Sequence, residues 1–428
     1  MRAENRPGIC PFNGHSCEPL SSGDADYFRI KTPQKDSLGR LVIAHAQELP
    51  YKCSSCFWEK GNEKLDKVCD RQDAQVVVLR VYPDDVTLPL YASLLDNSLG
   101  KYNVATADEQ RWGDGELNLM LKGEAPSAQS VYIVTSIQNE ADFMRAARVA
   151  DHYKSDLNAK SVTLVTPFMA SGRQDKNVNS QTGAYLPTTV NIRADIKAMA
   201  SVFDRAIVWE PHSAATQYFA AEAEMPLLPL SPWKRMTDNM LEKGVRVDGR
   251  RVKITPENSV VIGPDKGRNL AATRIAEYLN MRYVSFNKTR ISGSKTSVYK
   301  LTPEEQELIK GRIAVGYDDE GSTFGTANTI ADPLEQYGAT AFSLNLVHPK
   351  CTGAWVQNIR HPLLTTVFVS DSRQPVGNIN MAGDIIEKVS LFSDVRDVIE
   401  ADIKRVSFWE DEQRFRSMIL QPYANKVA

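Results

Sequence analysis

The chain lacks a long apolar run, has almost no net charge and is poor in cysteine, and each absence removes a class of function. A membrane span needs about 20 consecutive apolar residues, and none of the 428 residues belongs to such a run. The opening stretch Met-Arg-Ala-Glu-Asn-Arg-Pro lacks the apolar core of a secretory leader, so the expected compartment is the cytoplasm. Lys and Arg total 51 against 53 Asp and Glu, a formal net charge of −2, and bulk electrostatics therefore point to neither nucleic acid nor a membrane surface. Six cysteines, five of them before residue 70, are too few and too clustered for a secreted disulfide scaffold.

What is present is length and pattern. A chain of 428 residues can bury a large core and is expected to form two or three domains. Residues 1–71 stand apart, rich in Pro, Gly, Ser and Cys, with one clear apolar run from Leu41 to Ala44. Cys10 and Cys17 make one pair and Cys53 and Cys56 a tighter one, with His15 and Cys69 as further candidates. Two thiolates separated by two residues can grip one ion, and a second pair completes a tetrahedral set. A segment short of core gains folding energy from the metal. A structural Zn2+ held by Cys10, Cys17, Cys53 and Cys56 is the expectation, with an iron–sulfur cluster or unligated thiols as alternatives.

From Gln75 onward strands and helices alternate. Val76 to Val81, Val131 to Val134, Val162 to Val165 and Ala206 to Trp209 read as strands. Leu88 to Leu95, Asp142 to Tyr153 and Thr189 to Val202 read as helices between them. The second half repeats the alternation, with strands at Ser259 to Ile262, Tyr283 to Phe286, Ile313 to Tyr317, Ala341 to Leu346 and Thr365 to Val369. Its helices fall at Arg268 to Leu279, Ala327 to Tyr337 and Val395 to Ile403. Residues 72–228 and 229–406 thus read as two tandem α/β domains with parallel, doubly wound sheets. The tail 407–428, with Trp409, Phe415 and Met418, looks amphipathic and is assigned no chemistry.

The most informative stretch is Arg312 to Thr326, where a buried strand is followed by Asp318-Asp319, a polar loop and a helix start. Asp318 to Thr326 is expected to be a strand-to-helix loop. Ser322, Thr323, Gly325 and Thr326 supply hydroxyls and small residues, so backbone N–H groups at the helix N-terminus can surround an anion. Two carboxylates just before it can hold a ribose diol. An acidic turn that merely caps a helix uses the same residues, and context decides between the two.

That stretch resembles the phosphoribosyl diphosphate (PRPP) loop of phosphoribosyltransferases and ribose-phosphate diphosphokinases, in which two Asp residues precede a Thr-x-Gly-Thr turn. This chain departs from it at Ser322, where diphosphokinases usually carry a third acid, and at Phe324, where a small residue is usual. Further matches follow in the family's order. Trp112-Gly-Asp-Gly-Glu116 resembles a hairpin that reaches into a neighbouring subunit's ATP site, which implies that Trp112 stacks on adenine, with Asp114 and Glu116 nearby, and that the enzyme is a homo-oligomer. Arg173-Gln174-Asp175-Lys176 resembles the ATP loop, Arg173 forking onto phosphate oxygens. Glu210-Pro-His212 stands where the family has Asp-Leu-His at its Mg2+–ATP site, which implies His212 as a metal or phosphate contact, and Gln217 matches a nearby family glutamine. Asp265 of Gly263-Pro-Asp-Lys-Gly267 matches an acid near sugar and metal, although Arg268 replaces a glycine there. Lys288-Thr-Arg290 resembles the head of a mobile catalytic loop whose positive charge meets charge developing on phosphate.

The resemblance covers about residues 75 to 405. It implies two phosphoribosyltransferase-like domains and transfer of the diphosphoryl group of ATP, with Mg2+, to the anomeric hydroxyl of ribose 5-phosphate, giving PRPP and AMP. Two alternatives stay open: ADP-ribose as acceptor, because Ser322, Phe324 and Arg268 all fall around the sugar pocket and Phe324 can stack on or make room for a larger substrate, and a non-catalytic regulatory paralogue.

Overall fold

The computed structural model describes residues 74–79, 103–179, 182–263, 269–286, 288–290, 297–299, 301–403 and 418, together with the short strand pairs Arg29–Ile30 with Ala46–Gln47 and Gln34–Lys35 with Leu41–Val42. The cysteine pairs, the stretch expected to be helical at 88–95, Asp265, Arg268 and most of the tail lie outside the described residues. The chain divides into one unit running to Ser231 and resuming at Phe392, and a second from Pro232 to Leu391.

The first unit is built on a seven-stranded sheet. Its strands are β1 (Ala74–Val78), β2 (Asn103–Arg111), β3 (Leu117–Lys122), β4 (Ser130–Val134), β5 (Ser161–Thr166), β6 (Arg205–Trp209) and β7 (Leu227–Leu230). They lie in the order β7-β6-β5-β4-β1-β2-β3, parallel throughout except for the β2–β3 hairpin. The inner strands are buried along their whole length, as expected of a parallel sheet covered on both faces. Helices α1 (Glu140–Asp151), α2 (Asn191–Val202) and α3 (Ala215–Glu222) connect them. Asn139 caps α1 by accepting from the amides of Ala141 and Asp142.

At its C-terminal end α1 widens into a π-helical turn, His152–Asp156. There His152 bonds Asp156 at 2.7 Å through Nδ1 and Glu124 at 2.5 Å through Nε2. Burial works against the imidazolium, but the hydrogen bonds to Asp156 and Glu124 and the attraction of both carboxylates outweigh it, and its pKa lies above the ordinary value.

The second unit carries α4 (Trp233–Lys243), the ribbon β8 (Val245–Val247) and β9 (Arg250–Val252), and β10 (Ser259–Gly263), α5 (Asn269–Leu279) and β11 (Arg282–Ser285). The antiparallel pair β12 (Lys288–Arg290) and β13 (Ser297–Tyr299), α6 (Pro303–Ile309), β14 (Ile313–Gly321), α7 (Gly325–Gln336) and β15 (Ala341–Pro349) follow. The unit closes with α8 (Trp355–Ile359), β16 (Leu364–Ser370) and β17 (Ile386–Val389). Its sheet runs β11-β10-β14-β15-β16-β17, all parallel. Alternation along β14 divides its side chains: Ile313, Val315 and Tyr317 pack with α4 and α5, and Ala314 with α7 and α8.

The last helix, α9 (Phe392–Ile403), belongs to the first unit. Asp402 accepts from Arg205 at 2.7 and 3.1 Å and from the Tyr132 hydroxyl at 2.6 Å, and Arg205 also donates to Thr163 Oγ1 at 2.9 Å. Arg205 and Asp402 are both 2 % exposed in their side chains, so a paired, buried charge joins α9 to β4, β5 and β6.

Candidate active site

β14 outruns its apolar run. The sequence places a loop from Asp318, yet β14 continues to Gly321 because β15 pairs with it well beyond Tyr317, Asp318 opposite Leu346, Glu320 opposite His348 and Gly321 opposite Pro349. The ladder is made by backbone groups, and polar side chains do not end it. Asp319 and Glu320 are buried, whereas Asp318 is partly exposed and accepts from the amide of Asp319 at 2.9 Å.

The turn that follows is Ser322-Thr323-Phe324, and α7 starts at Gly325. Thr323 and Thr326 are exposed beside the N-terminus of α7, where the first-turn amides point outward. Phe324 holds the left-handed conformation, φ 59° and ψ 16°, a region that costs a non-glycine residue about 1–2 kcal/mol. Its ring is in the core, 4 % exposed and packed at 6.4 Å between centroids against Trp355. This corrects the expectation that Phe324 offers a stacking surface: its side chain faces inward and only its backbone belongs to the turn.

The segment after β15 braces the turn. Lys350 and Cys351 donate backbone bonds to Gly321 O at 2.8 and 3.0 Å, and Thr352 donates to Ser322 O at 2.8 Å. Ser322 and Thr352 hydroxyls meet at 2.7 Å, and Asn358 Nδ2 donates to Thr323 O at 2.7 Å. A third layer, Val376 and Gly377, donates in turn to the carbonyls of Lys350 and Cys351. Ser322 therefore stands in a hydroxyl pair within this scaffold.

The strand ends of the first unit carry the other motif residues. After β5, Ser171 is left-handed at φ 67° and Gly172 lies against His212, where a Cβ on Gly172 would come within 2.9 Å of the His212 Cβ. Glycine at 172 thus lets the Arg173 loop and the His212 loop touch. Arg173 is exposed and Asp175 buried, and Gln174 Nε2 donates to Thr188 Oγ1 at 3.0 Å. After β6, Glu210 is left-handed at φ 40° and 2 % exposed, its carboxylate accepting from the Ser231 hydroxyl. Glu210 is thus a buried structural acid, with His212 half-buried beyond it and Gln217 half-buried on α3.

Trp112 sits at the tip of the β2–β3 hairpin, 63 % exposed. The tip is closed by Trp112 N to Glu116 O at 2.9 Å and Gly115 N to Trp112 O at 2.8 Å, with Gly115 at φ 91°. Asp114 accepts from the Glu116 amide at 2.9 Å. Lys288 and Arg290 lie on β12, in register with Tyr299 and Ser297 of β13.

No family profile matches the chain. It is 26 % identical over 273 residues to ribose-phosphate pyrophosphokinase 1 of Streptococcus mutans, covering 62 % of this chain and 76 % of the relative. It is also 26 % identical over 250 residues to ribose-phosphate pyrophosphokinase of Methanopyrus kandleri, covering 58 % of this chain and 77 % of the relative. In sequence the chain is thus similar to ribose-phosphate pyrophosphokinases over more than half of its length. In fold it is similar to phosphoribosylpyrophosphate synthetase from Mycobacterium smegmatis, with a TM-score of 0.60 at 19 % identity over 78 % of this chain and 99 % of that one.

Beside the turn after β14 lie residues that sequence reading passed over. Glu320 Oε2 meets Lys350 Nζ at 2.8 Å, with side chains 4 % and 19 % exposed. Burial lowers the pKa of the neighbouring Arg373, opposed by Glu320 and Cys351. Burial also pushes the Cys351 thiol up to about 12, with Arg373 pulling the other way. Glu320 had one sequence signal, as the third acid in a row. Lys350, Arg373 and Trp355 had none, since partners about 30 or more positions away are brought together only by the sheet.

Proposed function

We propose that the chain transfers the β,γ-diphosphoryl group of ATP to the anomeric hydroxyl of ribose 5-phosphate, giving PRPP and AMP. The observation that carries the reading is the end of β14: an acidic pair on the central strand leading without interruption into a hydroxyl-lined turn and the N-terminus of α7. Asp318 and Asp319 hold the ribose hydroxyls, and Ser322 to Thr326 receive the 5-phosphate through backbone amides and the Thr323 and Thr326 hydroxyls. Arg173, Gln174, Asp175 and Gln217 take ATP. The anomeric oxygen attacks the β-phosphorus, the bond to the AMP oxygen breaks in line, and the hydroxyl proton leaves to a nearby carboxylate or to water. Catalysis is then mainly positioning and neutralisation of charge, to which Lys288, Arg290 and Arg173 contribute.

Mg2+ is the cofactor this reading implies, and His212 and Asp265 are its proposed contacts. When bound, Mg2+ neutralises phosphate charge and orients the nucleotide. The Cys10, Cys17, Cys53 and Cys56 set remains the proposal for structural Zn2+ on its spacing alone, tested by metal analysis of the purified protein: absence of zinc with freely alkylated Cys53 and Cys56 sinks it.

Trp112, exposed at a hairpin tip, supports a homo-oligomer in which one subunit's Trp112, Asp114 and Glu116 complete a neighbour's adenine pocket. ADP-ribose is the weaker acceptor reading, because the Phe324 ring that suggested stacking is in the core. The deciding test is AMP release from ATP and Mg2+ with ribose 5-phosphate and with ADP-ribose in parallel, repeated with Lys288→Ala. Ribose 5-phosphate is expected to give AMP and PRPP, and Lys288→Ala to lower kcat by about a hundredfold or more. AMP with ADP-ribose alone moves the acceptor, and AMP with neither favours a regulatory paralogue.

A further inference from the structure

We propose that the buried ring of Phe324 positions the sugar-phosphate turn, the side chain itself not touching the substrate. The proposal rests on the reading of residues 322–326 as a phosphate cradle and names what holds that cradle open. The bend at 324 is left-handed, φ 59°, a conformation that glycine or asparagine enters cheaply and an aromatic residue does not. A strained residue keeps such a backbone only where its surroundings hold it there.

The surroundings are a socket. The Phe324 ring packs in one apolar cluster with Leu346, Cys351 and Trp355. Gly321 leaves room for it: a Cβ there would come within 3.0 Å of Phe324 Cζ and would run into Leu346 Cδ2. Gly377 does the same for Trp355, whose Nε1 occupies the place a Cβ would take. The strand's last residue and the 377 loop are thus bare on the sides that face the two rings. On the outer side Asn358 holds Thr323 O and Thr352 holds Ser322. A ring pinned inside and hydrogen bonds outside leave the bend one arrangement, with the Thr323 and Thr326 hydroxyls exposed. A cradle formed before the anion arrives avoids the ordering cost of binding.

Phe324→Gly, Phe324→Ala, Phe324→Leu and Trp355→Leu separate backbone freedom from ring anchoring. Each is measured in the full chain for kcat, for KM toward ribose 5-phosphate and ATP, for Tm, and for amide hydrogen exchange at Gly325 to Asn328 without substrate. Phe324→Gly and Phe324→Ala are expected to raise the ribose 5-phosphate KM about tenfold or more, with kcat and the ATP KM within about threefold of wild type, and to speed exchange at those amides. Phe324→Leu, which keeps a buried anchor, is expected to stay within about threefold, and Trp355→Leu, which loosens the socket from the other side, to move the same KM alone. Trp355→Leu carries the test where the Phe324 variants do not fold. The proposal is overturned if Phe324→Gly matches wild type in KM and exchange, or if kcat and both KM values change together in step with Tm. If wild type turns over neither acceptor, the functional reading fails separately, and unchanged exchange in Phe324→Ala and Trp355→Leu would overturn the anchor on its own.

Discussion

Gly321 closes β14 at a place where no other residue fits. Its missing side chain is filled by Leu346 and by the Phe324 ring, so Gly321→Ala overpacks the core and is expected to cost about 1–3 kcal/mol, read as a fall in denaturation midpoint at unchanged m-value. His152 makes a second prediction. Its pKa is raised in the folded protein, so its contribution to stability is present in full below the ordinary value of 6.5 and is lost as pH rises through the folded value. Wild type should therefore exceed His152→Gln in Tm at mildly acidic pH, with the gap closing under alkaline conditions. A gap independent of pH would show that the bonds to Glu124 and Asp156 act without the charge.

Among the elements, α9 shows how a few buried atoms decide where a helix docks. Asp402 answers Arg205 and Tyr132 together, and removing it alone strands a guanidinium inside the sheet. Asp402→Ala is expected to destabilise by about 3–5 kcal/mol, whereas Arg205→Met combined with Asp402→Leu is expected to recover most of that loss, by chemical denaturation. The β2–β3 hairpin shows the opposite case, an element that its own sequence does not mark. Its first strand, Asn-Val-Ala-Thr-Ala-Asp-Glu-Gln-Arg, is polar and half exposed, and its alternation is too weak to read as a strand without its partner. β7 was hidden for another reason: Leu-Leu-Pro-Leu contains Pro229, which argues against a central strand. It is admitted because β7 lies at the sheet's edge.

For the whole molecule, the proposed function makes the ATP pocket a property of the assembly. If Trp112 and Asp114 serve a neighbour while Lys288 serves its own subunit, mixing inactive Trp112→Ala/Asp114→Ala protein with inactive Lys288→Ala protein and allowing subunit exchange should restore activity, to about a quarter of the wild-type rate in the simplest pairing. Mixtures that stay inactive after exchange would place all three residues in one subunit's site. Lys288 and Arg290 begin a short antiparallel ribbon, β12 with β13.

The sequence by itself determined the α/β alternation, most strand positions and the acidic pair followed by a small-residue turn into a helix, because each depends on residues within a few positions of one another. Apolar runs mark buried parallel strands, and small residues with hydroxyls mark a helix start wherever the chain carries them. Tertiary structure alone decided that β14 runs on to Gly321, that Glu320 meets Lys350 and that α9 is held by Arg205. It also decided which way Phe324 faces: locally an aromatic residue in a phosphate turn reads as a surface for a ligand, but Gly321, Leu346 and Trp355 provide an apolar socket that takes the ring out of water. Burial and strand pairing join positions far apart in the chain, and no short window of sequence contains both partners.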